Sequence, residues 1–148
     1  MRISVKARYG LSAMICIAQT YDTGKCTTII SLAEKLDISK IYLEQVFSLL
    51  RRASLVTSTK GTQGGYQLAK KPSEIMAYDI LSAIETSMFE KTEPTVNISK
   101  PEIEETLQDN LFSIIDDGLK STLSNISLEQ LIIEVEKRAS GEGYMYYL

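Results

Sequence analysis

Histidine and tryptophan are absent from this chain of 148 residues, and cysteine occurs twice, at Cys16 and Cys26. Without histidine, His-based acid–base catalysis and most catalytic zinc sites lack their side chains. No pair of carboxylates in an evident pocket motif takes their place, so an enzyme is not expected. Two thiols are too few for a disulfide framework and fit a reducing compartment. No apolar run approaches the ~20 residues of a membrane span. The start, Met1-Arg2-Ile3-Ser4-Val5-Lys6, is charged but lacks a small-residue cleavage pattern, so no signal peptide is read. These absences together point to a cytoplasmic protein that does not enter a membrane.

What is present is one domain's length of chain. Its 44% apolar and 24% charged residues exclude a disordered tail as its main content. A chain of this size buries roughly two-thirds of its surface. The net charge of −3 conceals a division. Residues 1–72 carry 11 Lys/Arg against 4 Asp/Glu, a balance of +7; residues 73–148 carry 5 against 15, a balance of −10. The first half favours a polyanion and the second does not.

Periodicity orders the basic half. Ser4 can cap a helix with Leu11, Met14, Ile15 and Ala18 on one face, and Gly24 suits its exit. Lys6 and Arg8 stand near its start, where the helix dipole disfavours cations, so they have another task. A short helix over Ile30–Leu36 follows, broken at Asp37-Ile38-Ser39. Ser39 caps a third helix over Lys40–Ala53, with Leu43, Val46, Phe47 and Leu50 as its apolar stripe. This pair reads as helix-turn-helix. Leu55–Thr59 then reads as a strand, Lys60–Gly65 as a glycine-rich turn and Tyr66–Ala69 as the returning strand. The expected fold class is mainly α with a small two-stranded β wing.

In the acidic half a helix is expected over Ala77–Ser87, then a loop over Met88–Ile98. Ser99-Lys100-Pro101-Glu102 reads as a capping box opening a longer helix striped by Ile103, Leu107, Leu111 and Ile114 or Ile115. Gly118 marks a possible bend in it. A second capping box, Ser127-Leu128-Glu129-Gln130, opens a last helix ending near Ala139. Residues 1–72 are assigned as the winged helix-turn-helix DNA-binding region and 73–148 as the helical dimerisation and regulatory region, within one compact domain. There is no internal repeat.

The second helix of a helix-turn-helix enters the major groove and presents its N-terminal side chains to base edges. Here these are Ser39, Lys40, Tyr42, Glu44 and Gln45; Gln suits adenine and Glu suits cytosine. Arg51 and Arg52, three turns on, suit phosphates. The wing offers Lys60 at its tip with Gly61 and Gln63 beside it. Lys6, Arg8, Lys70 and Lys71 complete a distributed phosphate-binding set. Against this stands the plain alternative of a packed helix pair with surface lysines. The agreement of helix pair, wing and charge favours DNA. Tyr66 is expected to pack on the core rather than touch DNA.

Arg2-Ile3-Ser4-x-Lys6-x-Arg8-Tyr9-Gly10, Tyr42-Leu43-Glu44-Gln45, Leu55-Val56, Lys60-Gly61 and Gly64-Gly65-Tyr66-x-Leu68-Ala69 together resemble one family. It is the Rrf-type bacterial transcriptional regulators, which include IscR-, NsrR- and CymR-like proteins. The likeness runs nearly end to end, with Leu123-x-Asn125-Ile126-Ser127-Leu128 matching the start of the family's last helix. It implies a homodimer, with a winged-helix domain and a long helix crossing to the partner subunit, on a palindromic double-stranded operator. It places Ser39, Tyr42, Glu44 and Gln45 where the family's recognition helix meets DNA. Two departures stand out. Lys60 replaces the common wing-tip arginine and lacks its planar fork. Ile41 stands where relatives often have a polar residue, so the preferred site can differ.

Iron–sulfur members carry three cysteines before the long helix, and Ser87–Lys100 has none here, so no cofactor is expected. Cys16, between Ile15 and Ile17, reads as a buried small hydrophobe. Cys26, beside Lys25 in a loop, is either an ordinary exposed thiol or a redox-sensitive one with a lowered pKa. The ending Gly143-Tyr144-Met145-Tyr146-Tyr147-Leu148 either packs on the dimer or docks a partner. It is similar to that of the cluster-free, cysteine-metabolism branch, which works with a cysteine synthase. The leading expectation is a homodimeric repressor of sulfur or cysteine metabolism. The alternatives are redox control through Cys26, or an interaction module that docks a metabolic enzyme.

Overall fold

A computed structural model describes residues 2–91, 93–94 and 99–141. Helix α1 (Val5–Ala18) begins immediately after Ser4, whose backbone is extended and whose hydroxyl accepts the Ala7 N–H at 3.0 Å. Its buried face is Ala7, Gly10, Ala13, Met14, Cys16, Ile17 and Ala18, while Leu11 and Ile15 are only half-buried. The expected stripe is thus rotated, because the helix is packed on several sides by other helices. Gly24 does not end α1; at φ 69° it closes a separate 3-10 turn over Tyr21–Thr23.

Helix α2 (Ile29–Leu36) is capped by Thr28 and stopped by Asp37 in the left-handed region. Helix α3 (Lys40–Arg52) buries Leu43, Val46, Phe47 and Leu50 completely. Ser39 holds its N-cap position, yet its side chain makes no capping hydrogen bond. Strands β1 (Val56–Thr59) and β2 (Gly65–Leu68) pair antiparallel, with Thr57 opposite Gln67 and Thr59 opposite Gly65. Thr27 adds a one-residue bridge to the far edge of β2, donating to the Tyr66 carbonyl at 2.9 Å and accepting from its N–H at 2.8 Å. Gly65 makes that closeness possible. Its φ is 138°, and a Cβ there would stand 2.6 Å from the Thr27 carbonyl oxygen. Tyr66 packs its ring on Phe47, centroids 4.6 Å apart.

Helix α4 (Ala77–Ile84) is shorter than the sequence suggests and gives way to a 3-10 turn over Thr86–Phe89. Helix α5 (Pro101–Leu107), a π turn over Gln108–Phe112 and helix α6 (Ser113–Ser124) follow without a break. They form one rod about 36 Å long at 1.5 Å per residue. Two expectations fail here. The cap of α5 is Lys100, with no capping hydrogen bond, because proline is preferred at the first helical position and so moves the start to Pro101. The irregularity in the rod is the π turn, and Gly118 lies inside α6. Helix α7 (Leu128–Ala139) has the capping box the sequence announces: Ser127 Oγ accepts the Gln130 N–H at 3.1 Å, and Gln130 Oε1 accepts the Ser127 N–H at 2.9 Å.

One apolar cluster joins both halves of the chain. It contains Met14, Leu32, Phe47 and Leu50 from the first, and Ile75, Ile80, Leu81, Leu128 and Ile132 from the second. At its centre α1 crosses α3 and α4 at Gly10. A Cβ on Gly10 would collide with the end of Ile84 and stand 3.3 Å from Val46 Cγ1. The aromatic ending at 143–148 lies outside the described residues, as do parts of the loop before α5.

Candidate nucleic-acid interface

Burying Leu43, Val46, Phe47 and Leu50 fixes what α3 turns outward. At 100° per residue, Ile41, Gln45, Ser48 and Arg52 fall within an arc of about 60° opposite the buried stripe. All four are exposed. Glu44 and Arg51 flank that arc on one side. Glu44 pairs with Lys40 at 3.9 Å, both side chains more than half exposed. An ion pair so exposed contributes little to stability. Tyr42 lies on the other flank, with its ring edge-to-face on Tyr9 of α1, centroids 5.3 Å apart. This contact sets the first turn of α3 against the first turns of α1.

The cations of α1 separate across that junction. Lys6 lines an open groove with Ile41, Glu44, Gln45, Ser48 and Leu49, so it joins the outward face of α3. Arg8 lines another, with Val5, Tyr9, Ser12, Leu36, Asp37 and Ile38, beside the turn between α2 and α3. In the wing, Lys60, Gly61 and Gln63 are exposed on the turn between β1 and β2. That turn is closed by the Gly64 N–H donating to the Gly61 carbonyl at 3.0 Å.

Lys71 is exposed and lines a separate cleft with Tyr21, Asp22, and Glu129 and Glu136 of α7. Lys70 is exposed beside it in sequence. Ser48, which the helix-turn-helix pattern alone does not single out, shares the outward face of α3, three residues after Gln45 and seven after Ile41.

The two thiols differ. Cys16 is buried, and desolvation pushes its pKa up, with Lys35 opposing the shift. Cys26 is half-buried, not exposed, and directly precedes the Thr27 bridge to the wing.

The profile of the Rrf2 family, described as an iron-dependent transcriptional regulator, matches residues 3–134. The HTH-type transcriptional regulator CymR of Bacillus subtilis (strain 168) is 36% identical over 148 residues, covering 100% of both chains. The solved structure described as CymR (YrzC), the global cysteine regulator of B. subtilis, superposes with a TM-score of 0.72. It is 36% identical and covers 90% of this chain and 98% of that one. The structure of T. potens IscR superposes equally well, at 0.72 and 31% identity, over 99% and 97% of the two chains.

The donors present do not suit an iron centre. Iron–sulfur clusters are held by sets of thiolates, with histidine replacing some in certain centres. This chain has two cysteines and no histidine, and Cys16 is enclosed in the core. Among the described residues, no three Cys, Asp or Glu side chains stand close enough to hold an ion. No helix among them is long and apolar enough to cross a membrane. With the profile spanning most of the sequence, a relative matched end to end and a winged helix in common, the chain belongs to the Rrf2 family of transcriptional regulators.

Proposed function

We propose that the protein is a homodimeric, sequence-specific repressor that binds a palindromic operator without a metal cofactor. The observation that carries this reading is the outward face of α3. Gln45, Ser48 and Arg52 are exposed in one arc with Lys6 of α1 at its edge. In this reading residues 1–72 meet DNA. Ser39, Lys40, Tyr42, Glu44 and Gln45 face the major groove, Lys60, Gly61 and Gln63 follow the adjacent groove, and Lys6, Arg8, Arg51 and Arg52 contact phosphates.

Residues 73–148 form the dimer. Along the rod of α5 and α6, Ile103, Leu111, Ile114 and Ile115 are between 45% and 64% exposed, an apolar stripe that a second copy's rod would cover. The full-length likeness to a cysteine regulator supports control of sulfur or cysteine metabolism.

Selection of bound fragments from a bacterial genome, followed by titration, tests the reading. Enrichment of a palindrome is expected, with a steep loss of affinity as salt rises. Gln45→Ala and Lys60→Ala should each weaken binding; unchanged affinity in both refutes the placement of helix and wing. Ile114→Asp should yield monomers in sedimentation. A second reading rests on Cys26, which abuts the strand bridge at the wing root. If it is a redox switch, peroxide releases DNA from the wild type but not from Cys26→Ser.

A further inference from the structure

Ile41 is 69% exposed, the most exposed large apolar side chain among the described residues. The core does not need it, since α3 buries four other side chains. Nor does it belong to the dimer stripe, which lies on a different element. It stands instead on the outward face of α3, in the groove formed with Lys6, Glu44, Gln45, Ser48 and Leu49. As the second residue of the helix, it occupies the end that reaches deepest toward base edges in a major-groove docking.

The major groove offers one apolar feature among the four bases, the C5-methyl of thymine, and apolar side chains recognise it by contact. Polar neighbours on this face can hydrogen-bond bases or phosphates; Ile41 cannot, and can gain only by excluding water. We infer that Ile41 is a specificity-determining residue that reads a thymine methyl in each half-site. This rests on the DNA-binding reading of α3 above and names one base it selects.

The geometry also places that thymine. Residues four apart on a helix have Cβ atoms about 5–6 Å apart. Base pairs rise 3.4 Å each. The thymine read by Ile41 therefore lies within two base pairs of the base read by Gln45.

The test uses the full chain and a duplex selected from a random-sequence pool, with each thymine replaced in turn by deoxyuridine. That change removes the methyl and keeps every hydrogen-bonding group. At one thymine per half-site, wild-type affinity should fall about four-fold, the worth of one buried methyl-sized group. Ile41→Ser should bind the parent duplex more weakly and be indifferent to deoxyuridine there, while Ile41→Val should retain the penalty. That thymine should fall within two base pairs of the position where Gln45→Ala relaxes the selected sequence. If Ile41→Ser keeps all the deoxyuridine penalties of the wild type, the inference is overturned. It is equally overturned if Ile41→Ser changes only self-association in sedimentation. If the wild type selects no sequence at all, the DNA-binding reading itself fails, a result distinct from both.

Discussion

Two glycines of the wing, Gly61 and Gly65, allow backbone strain to be separated from steric exclusion. Both have positive φ, 106° and 138°, so alanine is strained at either, by about 1–3 kcal/mol. Their surroundings differ. A Cβ on Gly61 meets nothing within 4 Å, whereas one on Gly65 would stand 2.6 Å from the Thr27 carbonyl oxygen and 2.8 Å from its carbon. Those atoms are backbone and cannot rotate away. Gly65→Ala must therefore push Thr27 off the sheet and break the two Thr27–Tyr66 hydrogen bonds, each contributing about 1 kcal/mol. The excess cost over Gly61→Ala is about 2 kcal/mol. With a urea dependence of about 2 kcal/mol per M, the two midpoints should differ by about 1 M. Equilibrium unfolding at one fixed protein concentration measures this, since the proposed dimerisation would make stability concentration-dependent. Midpoints within about 0.2 M of each other would refute the claim that the bridge to Thr27 excludes a side chain.

Further expectations follow from the placement of charge, cap and thiol. Lys6→Ala and Arg52→Ala should each lower the slope of log affinity against log salt by about 0.9 per lost phosphate contact. Lys71→Ala should leave that slope unchanged, because Lys71 lines a cleft beside α7 rather than the groove of α3. Ser127→Ala should lower the unfolding free energy by about 1 kcal/mol in urea titration, through loss of the cap of α7. Burial raises the Cys16 pKa, so the folded state favours the neutral thiol. The associated stability is full below the unfolded thiol's pKa, near 8.5, and is lost as pH rises from there through the raised folded value. Unfolding titrations from pH 7 to 10 should show a steeper decline for the wild type than for Cys16→Ala; parallel curves refute the burial argument.

Much of this arrangement is legible from residue spacing where one face of a helix is apolar and the other is not. Helix α3 is such a case, and its stripe, its outward side chains and its adjoining hairpin all follow from the sequence. The capping box at Ser127 is legible for a similar reason, since its partners are local. Legibility fails where many residues are apolar at once. In α1 the stretch from Ala13 to Ala18 is apolar throughout, so periodicity alone does not tell which face meets α3, α4 and α7. It fails also where two local signals compete, as at Ser99 and Pro101, where the proline decides the start of the helix. The π turn at Gln108–Phe112 has no sequence mark at all, as an inserted residue in a helix changes no residue type. The location of Lys71 depends on how α7 returns to the first half, which is a tertiary fact. Ser48, by contrast, was within reach of a helical wheel.

The crossing at Gly10 has a mechanical consequence. Close-packed interiors transmit displacement instead of absorbing it. At Gly10, α1 lies directly against Val46 of α3 and Ile84 of α4, so a displacement of α3 is felt by α1 and through it by α4. The helix that carries Gln45 is thereby coupled to α4 through a single shared contact on α1. In the proposed dimer, a signal that alters operator affinity would then act by re-aiming protomers and so changing the span between the two recognition helices.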